Sequence, residues 1–398
     1  MRTPIEIDAS RLPPLGMPPE RFLRDYWQKK PLLIRNAFPG FVPPIEPEDL
    51  AGLACEEAAL SRIVVHDRKR DRWELRHGPF AEETFPKMPR NDWTLLVQDV
   101  DKWDADVRAL IAHFSFLPRW RIDDVMISFA APGGSVGPHT DQYDVFLLQA
   151  QGQRRWQIST DPKAPQDFRD DAELKLLKRF TPTHEWVLAP GDMLYLPPGV
   201  PHHGEAVDAC LTFSLGMRAP SVAELMVDLV EHLAASIPDE QRYADPDLAP
   251  ATDPAEIDAA ALARLDAALA RLRTIDAGEL RDWFGRFITT YRAAGDLSPP
   301  GRLPTAATVE KTLSAGGRLL RHPFARFAWA RAGRGARLYA HGQDYPMGVA
   351  AARRLANAES LDGADLAALD ADARAAVMAL VRRGLYRPHR ARADGPTR

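Results

Sequence analysis

The stretch GPHTDQYD (137–144) carries two residues of types that bind metal ions, His139 and Asp141, placed two apart. In extended backbone, side chains two positions apart point to the same side, so this pair can address one ion with Thr140 turned away. An H-x-D pair alone also describes an ordinary polar turn; a metal site needs a further ligand. The stretch PGDMLYLPPGVPHHGEA (190–206) supplies candidates. Pro190, Gly191 and Asp192 read as a turn, and Met193–Leu196 as a short apolar strand. Pro197, Pro198 and Pro201 then restrict the chain ahead of His202 and His203, which removes conformational freedom before anything binds. Either histidine completes a set of two imidazoles and one carboxylate. Such a set covers one face of an octahedron, leaves positions open and suits non-haem Fe(II).

Two short patterns narrow the choice. Gly191, Pro197, Gly199 and His202 resemble the second cupin motif, which places the metal histidine at position 202. Gly133 and His139 resemble the first, but Asp141 stands where cupins have a second histidine, and the motif's glutamate is missing. That departure favours the three-ligand oxygenase version of the site. An Fe(II) oxygenase of this kind takes electrons from a co-substrate, commonly 2-oxoglutarate, whose far carboxylate needs a cation. In RRWQIS (154–159), Arg154 shares the face of Trp156 and Ile158, while Arg155, Gln157 and Ser159 share the other. An inward arginine is costly unless paired, so a bound carboxylate is a natural partner. By the same parity Asp124, Met126, Ser128 and Ala130 share a face, as do Thr212 and Ser214. Small polar residues there leave room for a ligand, or form a solvated sheet face.

These residues sit in a strand-rich region from about 90 to 218, with short apolar runs bounded by Gly and Pro, which predicts an antiparallel barrel or sandwich. A short helix leading into a strand is expected over 20–35. After Pro220 the texture turns helical: Leu225, Leu229, Leu233 and Ile237 recur at helical spacing. Pro-Pro-Gly at 299–301 marks a boundary, and the remainder mixes short strands with Ala- and Leu-rich helices. The chain has 398 residues, a net charge of −4, and two cysteines, Cys55 and Cys210. That balance gives no global basic field for nucleic acid. Sparse cysteine reads as a reducing compartment and excludes a disulfide scaffold. No apolar run approaches the ~18 residues of a membrane span, and the N-terminus lacks a signal-peptide core. A cytoplasmic protein without membrane partners is the expectation.

With DQYDVFLLQAQGQRRWQIS (141–159), FLRDYWQKKPLLIRNAFP (22–39) and SLGMRAPS (214–221) added to these motifs, the chain resembles the JmjC-type ribosomal oxygenases. The resemblance implies an α+β chain: a JmjC double-stranded β-helix (a cupin-like barrel) over 1–222, a helical dimerisation region over 223–300 and a winged-helix domain over 301–398. It implies an Fe(II)-dependent dioxygenase that uses 2-oxoglutarate and O2. Within the family the bacterial branch is the nearer match, which implies hydroxylation of an arginine β-carbon on a large-subunit ribosomal protein. Histidine hydroxylation or N-methyl demethylation is the alternative within the class; a nucleic-acid or scaffold module is the non-enzymatic one. By position His139, Asp141 and His202 match the iron ligands, Arg154 the partner of the 2-oxoglutarate carboxylate, and Ser128 its helper. Asp124, Tyr143 and Ser214 match positions lining the target side-chain pocket; a carboxylate and a phenol can grip a guanidinium. A homodimer through the helical region is expected. RGARLYAHG (334–342) could be the wing. Nucleic acid is not an expected partner, because Arg331, Arg334, Arg337, Arg353 and Arg354 form no cluster with aromatic residues.

Overall fold

Whether a strand reads as a continuous apolar run or as an alternation depends on how many of its faces are covered, and both kinds occur here. The computed structural model describes residues 4–250, 255, 257–290 and 304–390. They form two compact units that divide between Ala219 and Pro220. The first unit holds twelve strands: β1 (Glu6–Asp8), β2 (Leu32–Arg35), β3 (Ser61–Asp67), β4 (Arg72–His77), β5 (Trp93–Val97), β6 (Ile122–Ala130), β7 (Val145–Gln151), β8 (Arg154–Ile158), β9 (His184–Leu188), β10 (Met193–Leu196), β11 (His202–Ala206) and β12 (Cys210–Met217). They make a nine-stranded sheet in the order β1-β2-β10-β7-β12-β6-β5-β3-β4 and a three-stranded sheet, β11-β8-β9. This is the double-stranded β-helix.

The central strands β7 and β12 are covered on both faces, which explains VFLLQA and CLTFSLGM. Along β7, Phe146 and Leu148 join the core formed with Phe22, Tyr26, Ile127, Tyr195 and Phe213. Val145 and Leu147 instead join Trp156, Ile158 and Leu188. Opposite parities thus serve an outer core and the space between the sheets.

Three expectations are corrected. The sheet takes in strands well before residue 90: besides β1 and β2, β3 and β4 form a charged hairpin at the sheet edge, where exposure lets polar residues dilute the apolar signal. Ser159 lies beyond the end of β8 and is buried, its N–H donating to the Pro201 carbonyl, so it does not share the outer face. His139 and Asp141 lie in irregular chain, and His139 is paired through one isolated bridge.

Asp144 was not singled out by sequence, yet it is fully buried. Its carboxylate accepts from the Tyr195 hydroxyl at 2.6 Å, from Gln28 Nε2 at 3.0 Å and from Arg121 Nη2 at 3.2 Å. These bonds tie the N-terminal helix–strand segment to β10 and to the chain just after the H-x-D pair.

The second unit opens with a helix, Val222–Ala234, started by a capping box in which Ser221 and Glu224 exchange side-chain-to-backbone bonds. Helices Ala259–Ala268 and Ala277–Thr289 follow. Next come β13 (Arg318–Arg321), β14 (Phe327–Ala332), β15 (Gly335–Ala340), β16 (Gln343–Met347), β17 (Ser360–Leu361) and β18 (Tyr386–His389), in two three-stranded sheets packed with helices Ala306–Ser314, Val349–Asn357 and Ala371–Arg382. The helix Ala277–Thr289 is pinned to this domain: Tyr339 donates to Asp282 at 2.6 Å and Arg286 pairs with Asp344 at 3.0 Å. The hairpin β14–β15 covers the stretch read as a wing. Arg337 is taken by Asp282 and Asp344, and Arg354 by Asp365. The Pro-Pro-Gly boundary at 299–301 lies outside the described residues.

Removing the Asp144 carboxylate strands three donors, among them the buried Tyr195 hydroxyl. Asp144→Ala is expected to destabilise the first unit by about 2–4 kcal/mol, read as a lower urea midpoint; Asp144→Asn is expected to lose less, because its amide oxygen still accepts.

Candidate active site

The irregular segment 137–141 and the turn at 199–201 leading into β11 bring the candidate ligands together, and backbone hydrogen bonds lace them to each other. The His139 N–H donates to the His202 carbonyl at 3.0 Å, and the His202 N–H returns to the His139 carbonyl at 3.0 Å. The Gly199 N–H donates to the Asp141 carbonyl at 2.7 Å. Gly199 sits at φ +78° and Gly137 at φ +78°, left-handed conformations that glycine adopts without strain.

His139 and His202 are therefore neighbours, their ring centroids 4.2 Å apart. The Asp141 carboxylate lies 3.9 Å from His139 Nε2 and 3.6 Å from His202 Nε2. All three ligand atoms fall within 4.8 Å of one another, and no other His/Cys/Asp/Glu group among the described residues converges in this way. An ion with bonds of ~2.1 Å is within reach of all three. Each imidazole is also oriented for it. His139 Nδ1 is 2.9 Å from the Gly137 carbonyl and His202 Nδ1 is 2.9 Å from the Val200 carbonyl. A carbonyl only accepts, so both Nδ1 atoms carry the proton and both Nε2 lone pairs face the shared centre. Burial, and next the adjacent His139, hold His202 neutral. His203 points elsewhere: its Nε2 meets Ser135 Oγ at 3.0 Å, and that hydroxyl donates onward to the Gly204 carbonyl.

The centre opens into a cavity of about 570 Å³ between the two sheets. Arg154 lies within it, 3% exposed. Its nearest partners are the hydroxyls of Ser128 at 3.4 Å and Thr212 at 3.5 Å and the Gly204 carbonyl at 3.3 Å; its Nε has none. The guanidinium stacks over Trp156 at 5.0 Å. No carboxylate pairs with it among the described residues, and burial lowers its pKa. A cation in this state is set to receive an anion. The donor set and the orphaned guanidinium together fit a metal and a carboxylate-bearing co-substrate.

Asp124, Tyr143 and Ser214 line the same cavity. The Asp124 carboxylate accepts from the Asp99 N–H at 3.0 Å. Burial first, then the charges of Asp99 and Asp123, push it up to about 7. Arg121, a conceivable surface partner for it, is engaged with Asp144. Tyr143 is 41% exposed, with its phenol raised by partial burial and by Asp141 and Asp124. Thr140 is a correction: it also lines the cavity, its Oγ1 buried without a partner. Sequence reasoning missed Thr94 and Arg62, which contribute further partnerless buried atoms to this wall, because β3 was not read as a strand and β5 was assigned no face. Parity along SRIVVHD would have turned Arg62 and Val64 to one side.

Models of known families match three parts of the chain: a JmjC domain over 109–225, an AraC-like ligand binding domain over 182–277 and a ROXA-like winged helix over 272–387. The ribosomal protein uL16 3-hydroxylase of Escherichia coli is 39% identical over 280 residues, 70% of this chain and 73% of that protein. The chain belongs to the JmjC ribosomal oxygenases. A probable ribosomal oxygenase of Haemophilus influenzae is 40% identical over 57% of this chain and 56% of its own. Among solved structures, Escherichia coli YcfD superposes with a TM-score of 0.83 at 34% identity, covering 94% of this chain and 99% of that one. The same ribosomal oxygenase in complex with cobalt and 2-oxoglutarate matches with a TM-score of 0.78 at 33% identity, over 94% and 99% of the two chains.

The raised Asp124 carboxyl has a stability consequence. Its folded pKa lies above the ordinary 3.8, so the folded state holds the proton more tightly and stability falls as pH rises from about 4 to about 7. Asp124→Asn removes that loss while keeping an acceptor for Asp99. The variant is expected to gain on the parent protein by at least about 1 kcal/mol between pH 5 and pH 8, read from thermal unfolding of both proteins at each pH.

Proposed function

We propose that this ribosomal oxygenase is an Fe(II)- and 2-oxoglutarate-dependent hydroxylase that acts on the β-carbon of an arginine in a large-subunit ribosomal protein. The observation that carries the reading is Arg154: a buried guanidinium without a carboxylate partner, in one cavity with a His-Asp-His donor set. His139 and His202 would hold the metal through Nε2 and Asp141 through its carboxylate. Arg154, with the Ser128 and Thr212 hydroxyls, would fix the distal carboxylate of 2-oxoglutarate and so set how far its keto acid end reaches. When bound, the metal couples oxidative decarboxylation of 2-oxoglutarate by O2, which yields succinate and CO2, to insertion of the remaining oxygen atom into a C–H bond.

The other residues position the target. Asp124 would meet the target guanidinium with a charge-assisted hydrogen bond, and ion pairing would draw its carboxyl back to the ionised form. Tyr143 would stack on the planar group at the cavity mouth, with Ser214 beside it. The apolar walls exclude water, and no side chain need act as a general base. A ribosomal target would put the reaction in the cytoplasm. No helix among the described residues is long and apolar enough to cross a membrane. The homodimer belongs to the same proposal. The helix Val222–Ala234 leaves Val222 72%, Met226 62% and Val227 59% exposed, an apolar face that a second copy would cover.

Incubation with Fe(II), 2-oxoglutarate and ribosomal proteins is expected to release succinate and add one oxygen atom to an arginine, located by peptide mass spectrometry. Addition to a histidine, or loss of an N-methyl group, would replace the arginine assignment. Asp141→Ala is expected to abolish turnover and metal binding with the fold intact by circular dichroism. Arg154→Met is expected to raise the KM for 2-oxoglutarate at least about 30-fold, the loss of a buried charged partner, without lowering the melting temperature.

A further inference from the structure

Arg62 is the second guanidinium on the cavity wall. It sits near the start of β3, paired in register with His77 of β4 and Leu96 of β5, so its backbone is held between two strands. Its Nε is buried and without a hydrogen-bond partner, and no carboxylate pairs with it among the described residues. Its charge acts on the Tyr143 phenol, which puts it beside the target pocket, whereas Arg154 contacts Ser128, Thr212 and Gly204. The chemistry proposed for the metal and 2-oxoglutarate leaves Arg62 with no role.

A target side chain that reaches into this cavity brings its own main chain to the mouth, where carbonyl groups lose water and need donors. A guanidinium offers five N–H donors in a planar fork and can serve two acceptors at once. An acidic side chain flanking the target is the poorer match. It would pair with the target cation within the peptide and compete with Asp124. Main-chain carbonyls are present whatever the sequence, and the Asp123 and Asp124 carboxylates offset the cationic charge that Arg62 adds near the target. We propose that Arg62 is a substrate-positioning residue that donates to main-chain carbonyls of the peptide flanking the hydroxylated residue. This rests on the protein-hydroxylase reading above.

The test uses the full chain with Fe(II), 2-oxoglutarate and the ribosomal protein uL16, comparing Arg62→Met, Arg62→Gln and Arg62→Lys. The expected result for the first two is a KM for the protein substrate raised roughly ten-fold, about one lost charge-assisted contact, with kcat, the KM for 2-oxoglutarate and the slow turnover of 2-oxoglutarate without protein substrate unchanged. Arg62→Lys, which keeps a donor, is expected to recover part of the loss. An unchanged KM in both folded variants overturns the proposal. So does a KM rise that vanishes when acidic residues of the substrate are replaced by their amides, since the acceptor would then be a carboxylate. If the unsubstituted enzyme hydroxylates nothing on uL16, the hydroxylase reading itself fails. Should Arg62→Met not fold, Arg62→Gln, which keeps polar atoms at that position, carries the comparison.

Discussion

The site depends on one reciprocal pair of backbone hydrogen bonds. His139 and His202 are far apart in sequence, yet each donates its N–H to the other's carbonyl. This fixes their Cα atoms at ladder distance and sends both imidazoles to one side. The third bond, Gly199 to the Asp141 carbonyl, adds the carboxylate to the same frame. Because these bonds lie in the main chain, they survive any change of the side chains they position. The geometry of the donor set is thus a property of the two sheets, whose closure brings the end of β10 beside the segment before β7. The side chains then need only the right tautomer, which two neighbouring carbonyls impose.

Arg154 shows the opposite logic. Its surroundings satisfy it poorly: contacts of 3.3–3.5 Å, an unpartnered Nε, and an aromatic face. A buried cation without its anion is costly, and the rest of the unit must outweigh that cost. The doubly covered strands β7 and β12 and the aromatic core around Phe22, Phe146 and Tyr195 supply the burial that does so. The poor satisfaction also makes the site selective. A ligand that brings a carboxylate to this depth removes the cost, while a neutral molecule of the same shape leaves it in place.

What could be read from sequence follows the range of the interactions concerned. The proline-fixed turn before His202 and the face of Arg154 are set within a few residues, and each was legible from turn chemistry and parity. The H-x-D pair was legible as residue types, but its extended-strand parity failed, because the segment is irregular and Thr140 also lines the cavity. Choosing His202 over His203 was not legible that way, since both follow the same prolines and the cupin pattern had to decide. The structure shows why they differ: the bridge to His139 turns one imidazole inward and Ser135 holds the other. Strands β3 and β4 escaped notice because a sheet edge tolerates the charges of HDRKRDRWELRH. Arg62 and Thr94 were missed with the wall they belong to, and Asp144 was missed because its partners lie 23, 51 and 116 residues away.

Taken together, the cavity holds fixed charges of both signs. Arg154 stands among Ser128, Thr212 and Gly204, Arg62 acts on Tyr143, and Asp123, Asp124 and Asp141 line the same space. In a low-dielectric enclosure these fixed charges act over the whole cavity. On the proposed reading, the carboxylates of 2-oxoglutarate would be drawn to Arg154, while a cationic side chain would be drawn to Asp124. The raised Asp124 carboxyl is the counterpart of this arrangement. Burial first, and then the charges of Asp99 and Asp123, disfavour the ionised form of Asp124, and a cation beside it would favour that form. On the proposed reading, a cationic target would return Asp124 to its ionised form, and the cost of burying that carboxyl would become part of the preference for a positively charged substrate.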